Sequence, residues 1–143
     1  MSAWSGAGGI DAAMEPDDAG APPVGCGEAV IHERLADLPR HPDDATVYPR
    51  PVALARVHQD EATGAVHHVI RYPAGLGALA HTHRSAHTIP VLERRLVANG
   101  EVIGRGGYAH FPAGRVMRHT TTTEEPCLFV TMFDGPVTTE LAE

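Results

Sequence analysis

From residue 52 onward, apolar and polar positions alternate in short runs broken by glycine and proline. This is the period-two pattern of strands with one buried face. Val52 to His58 alternates after a Pro-Arg-Pro bend, with Val52, Leu54, Arg56 and His58 on one face. Ala65 to Tyr72 is β-branched and aromatic and closes on the turn Pro73-Ala-Gly75. Leu79 to His83 and His87 to Leu92 predict two more strands. Pro90 marks the second as an edge or a bulge, because proline cannot donate to a ladder. Arg94 to Val97 and Glu101 to Ile103 flank Asn99-Gly100, a strong hairpin signal. Gly106 to Phe111, Val116 to Thr122 and Cys127 to Phe133 complete the series, separated by Pro112-Ala-Gly114 and Glu124-Glu-Pro126. Upstream, Ala29 to Leu38 predicts a short strand or a helical turn ended by Pro39, and no convincing amphipathic helix follows residue 40. The fold class is therefore all-β, an antiparallel sandwich or barrel.

Composition narrows the picture. Residues 1–27 are mostly Ala, Gly, Pro and Asp, which cannot repay their ordering entropy, so a flexible tail is expected ahead of a single domain over 28–143. The hydrophobic share of 43% is enough for one core in 143 residues. A net charge of −7 argues against nucleic acid or an anionic membrane as partner, since no basic patch is available to release counterions. The apolar runs are too short to span a bilayer, and the first residues lack a signal peptide's basic flank and apolar run. Only Cys26 and Cys127 are present, without a CxxC, which fits a cytoplasmic protein rather than a disulfide framework.

The candidate chemistry lies between Gly75 and His87. His81 and His83, two apart on a strand, point to one face, and His87 follows an Arg-Ser bend that returns the chain toward them. Neutral imidazole is the commonest ligand of the later divalent metals. Ten histidines in the chain make a chance His-x-His pair common, and histidine on a half-buried strand is often only solvated. The surrounding frame singles this one out. A glycine stands six residues before His81, and Pro112-Ala-Gly114 is followed by His119.

These residues resemble the two motifs of the cupin superfamily. Gly75, His81, His83, His87 and Arg94 fall at the first motif's glycine, His-x-His, glutamate and closing glycine. Gly106, Pro112 and Gly114 match the second, whose histidine position is Met117, with His119 two residues later. A two-residue shift keeps the strand face. The resemblance covers roughly residues 52–135 and implies a jelly-roll β-barrel holding a metal on His81, His83, His87 and His119, with no carboxylate. Four neutral ligands leave a divalent ion its full charge and make it a stronger Lewis acid. Imidazoles suit zinc, iron, nickel or copper, and disfavour magnesium and calcium.

An all-histidine set in a small chain is similar to the bacterial aromatic polyketide cyclases of the cupin type. It implies a Zn2+ enzyme (Fe2+ and Ni2+ being the alternatives) that directs aldol cyclisation and dehydration of a poly-β-ketone. The substrate would be bound to an acyl carrier protein, with other polyketide synthase components as possible partners, and the base would be metal-bound hydroxide, Tyr72 or His67. The segment Cys127 to Pro136 also resembles the iron-dependent dioxygenases that cleave β-diketones. A non-catalytic cupin module is the remaining rival. Cupins commonly pair, so a homodimer formed by exchange of a strand near Ala29 to His32 is expected. Tyr72, Phe111, Met117, Phe129 and Phe133 are candidates for an apolar pocket or the core. Arg115 and Arg118 are read as solvated surface, with binding of a phosphopantetheine or substrate enolate as the alternative, His32, His41, His58 and His68 as surface or structural, and Cys127 as a small buried hydrophobe.

Overall fold

The computed structural model describes residues 29–43, 48–121 and 124–142, so the predicted tail lies outside the described residues. Its strands are β1 (His41–Asp43), β2 (Val52–Gln59), β3 (Val66–Tyr72), β4 (His81–Thr82), β5 (His87–Glu93), β6 (Leu96–Ala98), β7 (Glu101–Ile103), β8 (Tyr108–Phe111), β9 (His119–Thr121), β10 (Cys127–Phe133) and β11 (Glu140–Leu141). Six of them form a sheet in the order β1-β2-β3-β10-β5-β8, facing a three-stranded sheet β7-β6-β9 and the pair β11-β4. Every pairing between these strands is antiparallel. Among the described residues there is no α-helix, and no helix long and apolar enough to cross a membrane.

Two cores explain the pattern of apolar residues. The larger lies between the sheets and includes Val52, Ile70, Tyr72, Ile89 and Phe129 from the large sheet with Leu96, Ala98 and Met117 opposite. On the outer face, Val69, Leu128 and Val130 pack under Leu35, Ala36 and Leu38. β10 is therefore buried on both faces, which is why Cys127 to Phe133 reads as a nearly continuous apolar run.

Some expectations are resolved between their alternatives and others are corrected. Ala29 to Leu38 takes the helical option, a 3-10 turn at Leu35–Asp37. Ala29 to His32 is not a strand, because β1 already fills the edge beside β2, and the strand proposed for exchange between subunits is absent. Alternation in β2 breaks at a bulge between Arg56 and His58. The extra residue flips the phase, so His58 sits across from His67 on the outer face instead of sharing a face with Val52 and Leu54. Pro90 lies in an interior strand, between β10 and β8. The register with β10 slips two residues later and leaves Leu92 unmatched, so of the two readings it is the bulge that is found. The strand expected from Arg94 begins at Leu96 instead, since Arg94 turns the chain at φ 67°. The short strands β1 and β11 had no period-two signal.

Candidate functional site

Hydrogen bonds between the two motif segments bring the histidines together. The His81 amide donates to the Met117 carbonyl at 3.0 Å, the Met117 amide returns a bond to the His81 carbonyl at 2.8 Å, and the Gly114 amide donates to the His83 carbonyl at 2.8 Å. His87 opens β5 opposite Phe133 of β10, and His119 opens β9 opposite Ala98 of β6. His81, His83, His87 and His119 are all buried. Their ring centres lie 4.8 Å (His81–His83), 5.1 Å (His83–His87), 5.4 Å (His81–His119) and 6.1 Å (His87–His119) apart.

Each ring is pinned through Nδ1. His81 Nδ1–H donates to the Leu79 carbonyl at 2.6 Å, and His83 Nδ1–H to the Thr138 carbonyl at 2.7 Å. A carbonyl only accepts, so the proton of each neutral ring is on Nδ1 and the Nε2 lone pair is left over. His87 Nδ1 meets the Met117 sulfur at 3.3 Å, and His119 Nδ1 meets the Tyr72 hydroxyl at 2.6 Å. Nε2 of both His87 and His119 is buried without a hydrogen-bond partner among the described residues. Phe133 stacks on His87 at 4.1 Å and 12° and meets His83 edge-on.

Burial keeps these rings neutral. It pushes His87 down to about 2 and His119 to about 3, with the neighbouring imidazoles adding to the shift in both. His81 and His83 are also lowered by burial, partly offset by their bonds to carbonyls. Uncharged rings whose Nε2 lone pair is left free, as the acceptors on Nδ1 leave it in His81, His83 and His87, are the donors that zinc, iron, nickel or copper needs. Rings bound through Nε2 to one ion have centres about 4.5–6.4 Å apart, given Zn–N near 2.1 Å. All four spacings fall in that window. Among the described residues no group of three or more His, Cys, Asp or Glu is arranged so as to hold a metal ion. The match to such an ion is one of donor chemistry and ring-centre spacing alone.

The rings line a cavity of about 110 Å³ shared with Leu54, Ile70, Phe133 and Val137, and with the polar groups of Asp43, Tyr48, His68, Thr131 and Thr139. Tyr72 is fully buried and its phenol is raised well above the ordinary range by burial, so it keeps its proton and is no base. Its ring meets Tyr48 edge-on at 5.6 Å. His67 is no base for this cavity either. It lies on the outer face of β3 beside His58, while its neighbour His68, read from sequence as surface or structural, faces inward with Ile70 and Tyr72. Because Ala65 to Tyr72 is apolar on both faces, its phase was ambiguous. Phe133 lines the cavity, whereas Tyr72, Phe111, Met117 and Phe129 belong to the core. Arg115 and Arg118 are exposed, and Cys127 is buried with its thiol pushed up to about 12.

The chain matches no family model and no curated protein. Its fold does match solved structures. A cupin-like protein from Thermotoga maritima MSB8 superposes with TM-score 0.65 at 14% identity, over 74% of this chain and 87% of that one. This is a cupin fold. The polyketide cyclase RemF from Streptomyces resistomycificus matches with TM-score 0.65 at 17% identity, over 80% of this chain and 87% of that one. An acetylacetone dioxygenase from Acinetobacter johnsonii matches with TM-score 0.64 at 16% identity, over 78% of each chain. At such identities the likeness establishes the fold.

Against the cupin pattern, the departures now have structural content. Arg94, standing where the motif closes with glycine, keeps the glycine-like conformation at φ 67°. Met117, at the usual histidine position, stays buried and backs the ring of His87, while His119 two residues on reaches the same cavity.

Proposed function

We propose that the protein is a metal-dependent enzyme acting on 1,3-dicarbonyl units, with zinc-dependent aldol cyclisation of a poly-β-ketone as the first reading. The observation that carries it is the convergence of four neutral imidazoles, each with Nδ1 engaged elsewhere, on one small cavity. His81, His83, His87 and His119 would hold the ion, which supplies Lewis acidity toward a carbonyl oxygen with its full charge retained. In the aldol step the methylene between two carbonyls loses a proton, its carbon bonds to a second carbonyl carbon of the same chain, and water then leaves.

The chain's own residues hold the geometry for this. The carbonyls of Leu79 and Thr138 fix two rings, Met117 and Phe133 fix the third, and Tyr72 fixes the fourth. Apolar lining from Leu54, Ile70 and Val137 excludes water and limits the conformers a flexible substrate can adopt. His68 is the proton acceptor in this scheme. It lines the cavity, and burial lowers it and so favours the neutral, proton-accepting form, while the Asp43 carboxylate opposes that shift. The wider setting is a cytoplasmic homodimer receiving a carrier-bound chain.

A second reading rests on size. A cavity of about 110 Å³ suits a diketone of a few carbons better than a long poly-β-ketone, well below the roughly 300–1,000 Å³ common for larger ligands. That favours oxidative cleavage of a small β-diketone with iron. One experiment separates the two. Zinc- and iron-loaded protein are each given a poly-β-ketone thioester analogue and acetylacetone, following ring formation and oxygen uptake. Ring formation with zinc and no oxygen uptake is the expected result. Stoichiometric oxygen uptake with iron and acetylacetone would replace cyclisation with cleavage.

A further inference from the structure

The inward row of β10 is Cys127, Phe129, Thr131 and Phe133, all buried. Thr131 is the one hydroxyl in it. Valine is nearly the same shape and favours strands more strongly, so packing alone gives no reason for threonine here. Thr131 is only 2% exposed, yet its Oγ1 has no hydrogen-bond partner among the described residues. Thr121, the other buried threonine among the described residues, shows what a structural hydroxyl does in this fold. Thr121 Oγ1 accepts from the Leu76 amide at 2.9 Å and donates to the Pro73 carbonyl at 2.7 Å. Leaving a buried hydroxyl unpaired is destabilising, and folds retain such groups chiefly where something else will bind them.

The surroundings of Thr131 indicate what that is. It lines the same cavity as His81, His83, His87 and His119. Its cross-strand partner on β3 is His68, which lines the cavity as well. Phe133 lies two residues along the same face, and Leu54, Ile70 and Val137 add apolar lining to a wall that also holds Asp43, Tyr48 and Thr139. A buried hydroxyl left without a partner beside four neutral imidazoles is suited to one small, oxygen-bearing ligand.

We propose that Thr131 is a substrate-binding and specificity residue whose hydroxyl donates a hydrogen bond to a carbonyl or enolate oxygen of a 1,3-dicarbonyl held in the four-histidine cavity. This rests on the dicarbonyl reading of the site and names the group that selects an oxygen-bearing ligand over an apolar one of equal size. A site built to hydrogen-bond a ligand oxygen discriminates strongly, because an analogue without it leaves the buried hydroxyl unpaired.

The test uses the full chain loaded with zinc and acetylacetone as the probe, comparing wild type with Thr131→Val. Bound zinc, Tm without the probe and the Kd for acetylacetone by titration calorimetry are measured on each. Thr131→Val is expected to keep its zinc and show an equal or higher Tm, while its Kd rises by about tenfold or more. A purely structural hydroxyl would do the opposite, lowering Tm and leaving the Kd unchanged. Thr131→Ser and Thr131→Ala provide a second comparison should the valine variant fold poorly. Both lack the methyl group, so the hydroxyl alone separates them, and serine is expected to bind acetylacetone about tenfold more tightly than alanine. Equal Kd values across wild type, valine, serine and alanine overturn the role of Thr131 and leave the dicarbonyl reading standing. Wild-type protein that holds zinc but does not bind acetylacetone takes down both.

Discussion

A neutral imidazole has one N–H and one lone pair, and in this protein the disposition of the N–H decides what the lone pair can do. Leu79 and Thr138 accept from His81 and His83 through main-chain oxygens. No side-chain substitution at those two positions removes the acceptor. His87 and His119 depend instead on side chains, Met117 and Tyr72. The same burial that frees the lone pairs has a thermodynamic signature. His87 and His119 refuse protons in the fold down to about 2 and about 3, respectively, while in the unfolded chain they take them up near 6.5. The folded values are depressed, so this contribution to stability is fully present above about pH 6.5 and is lost as pH falls toward the folded values. Denaturant unfolding of metal-free protein from about pH 7.5 to about pH 5 is expected to show stability falling below pH 6.5. The slope approaches at most ~1.4 kcal/mol per pH unit for each of the two buried histidines. A flat profile would mean that these rings are protonated or solvated in the native state.

Among the elements, the turns carry more of the design than the strands. Arg94 ends β5 at φ 67°, a conformation glycine adopts freely and a β-branched residue strongly resists. Its guanidinium bonds Glu125 at 3.1 Å, but both partners are solvated and Arg95 reaches the same carboxylate, so the pair adds little. Arg94→Gly is therefore expected to leave Tm unchanged or slightly raised, relief of strain being set against greater freedom of the unfolded chain. Arg94→Val is expected to cost about 1–2 kcal/mol. Thermal unfolding of both variants checks the order, and equal stability of the two would contradict a backbone role for this position.

The same elements show what the sequence could and could not convey. His81, His83, His87 and His119 were legible because strand period and motif spacing each place them, and an error in one is caught by the other. His68 was not, because Val66, Val69, Ile70 and Tyr72 are buried on both faces of β3, so no polar alternation says which of His67 and His68 points inward. Asp43 and Tyr48 come from a proline-rich approach with no periodic signal. Thr131 was hidden inside an apolar run buried on both sides.

Over the whole molecule, two sheets of unequal size leave a cavity between them that the smaller elements close. The six-stranded sheet supplies His68, His87 and Thr131, while β4 and β9 supply His81, His83's neighbourhood and His119. The segment after β10 completes the wall with Val137 and Thr139, and the Thr138 carbonyl holds His83. Three of the four histidines lie in the one segment 81–87 and His119 comes from the second motif, so anything that binds all four ties the two motifs together. The most direct test is the metal content of purified protein by elemental mass spectrometry, measured beside a His87→Ala variant. About one zinc per chain, lost or much reduced in the variant, is the expected result for a four-histidine centre. Iron retained in full by His87→Ala would contradict it, leaving a three-histidine centre and the oxidative reading in its place.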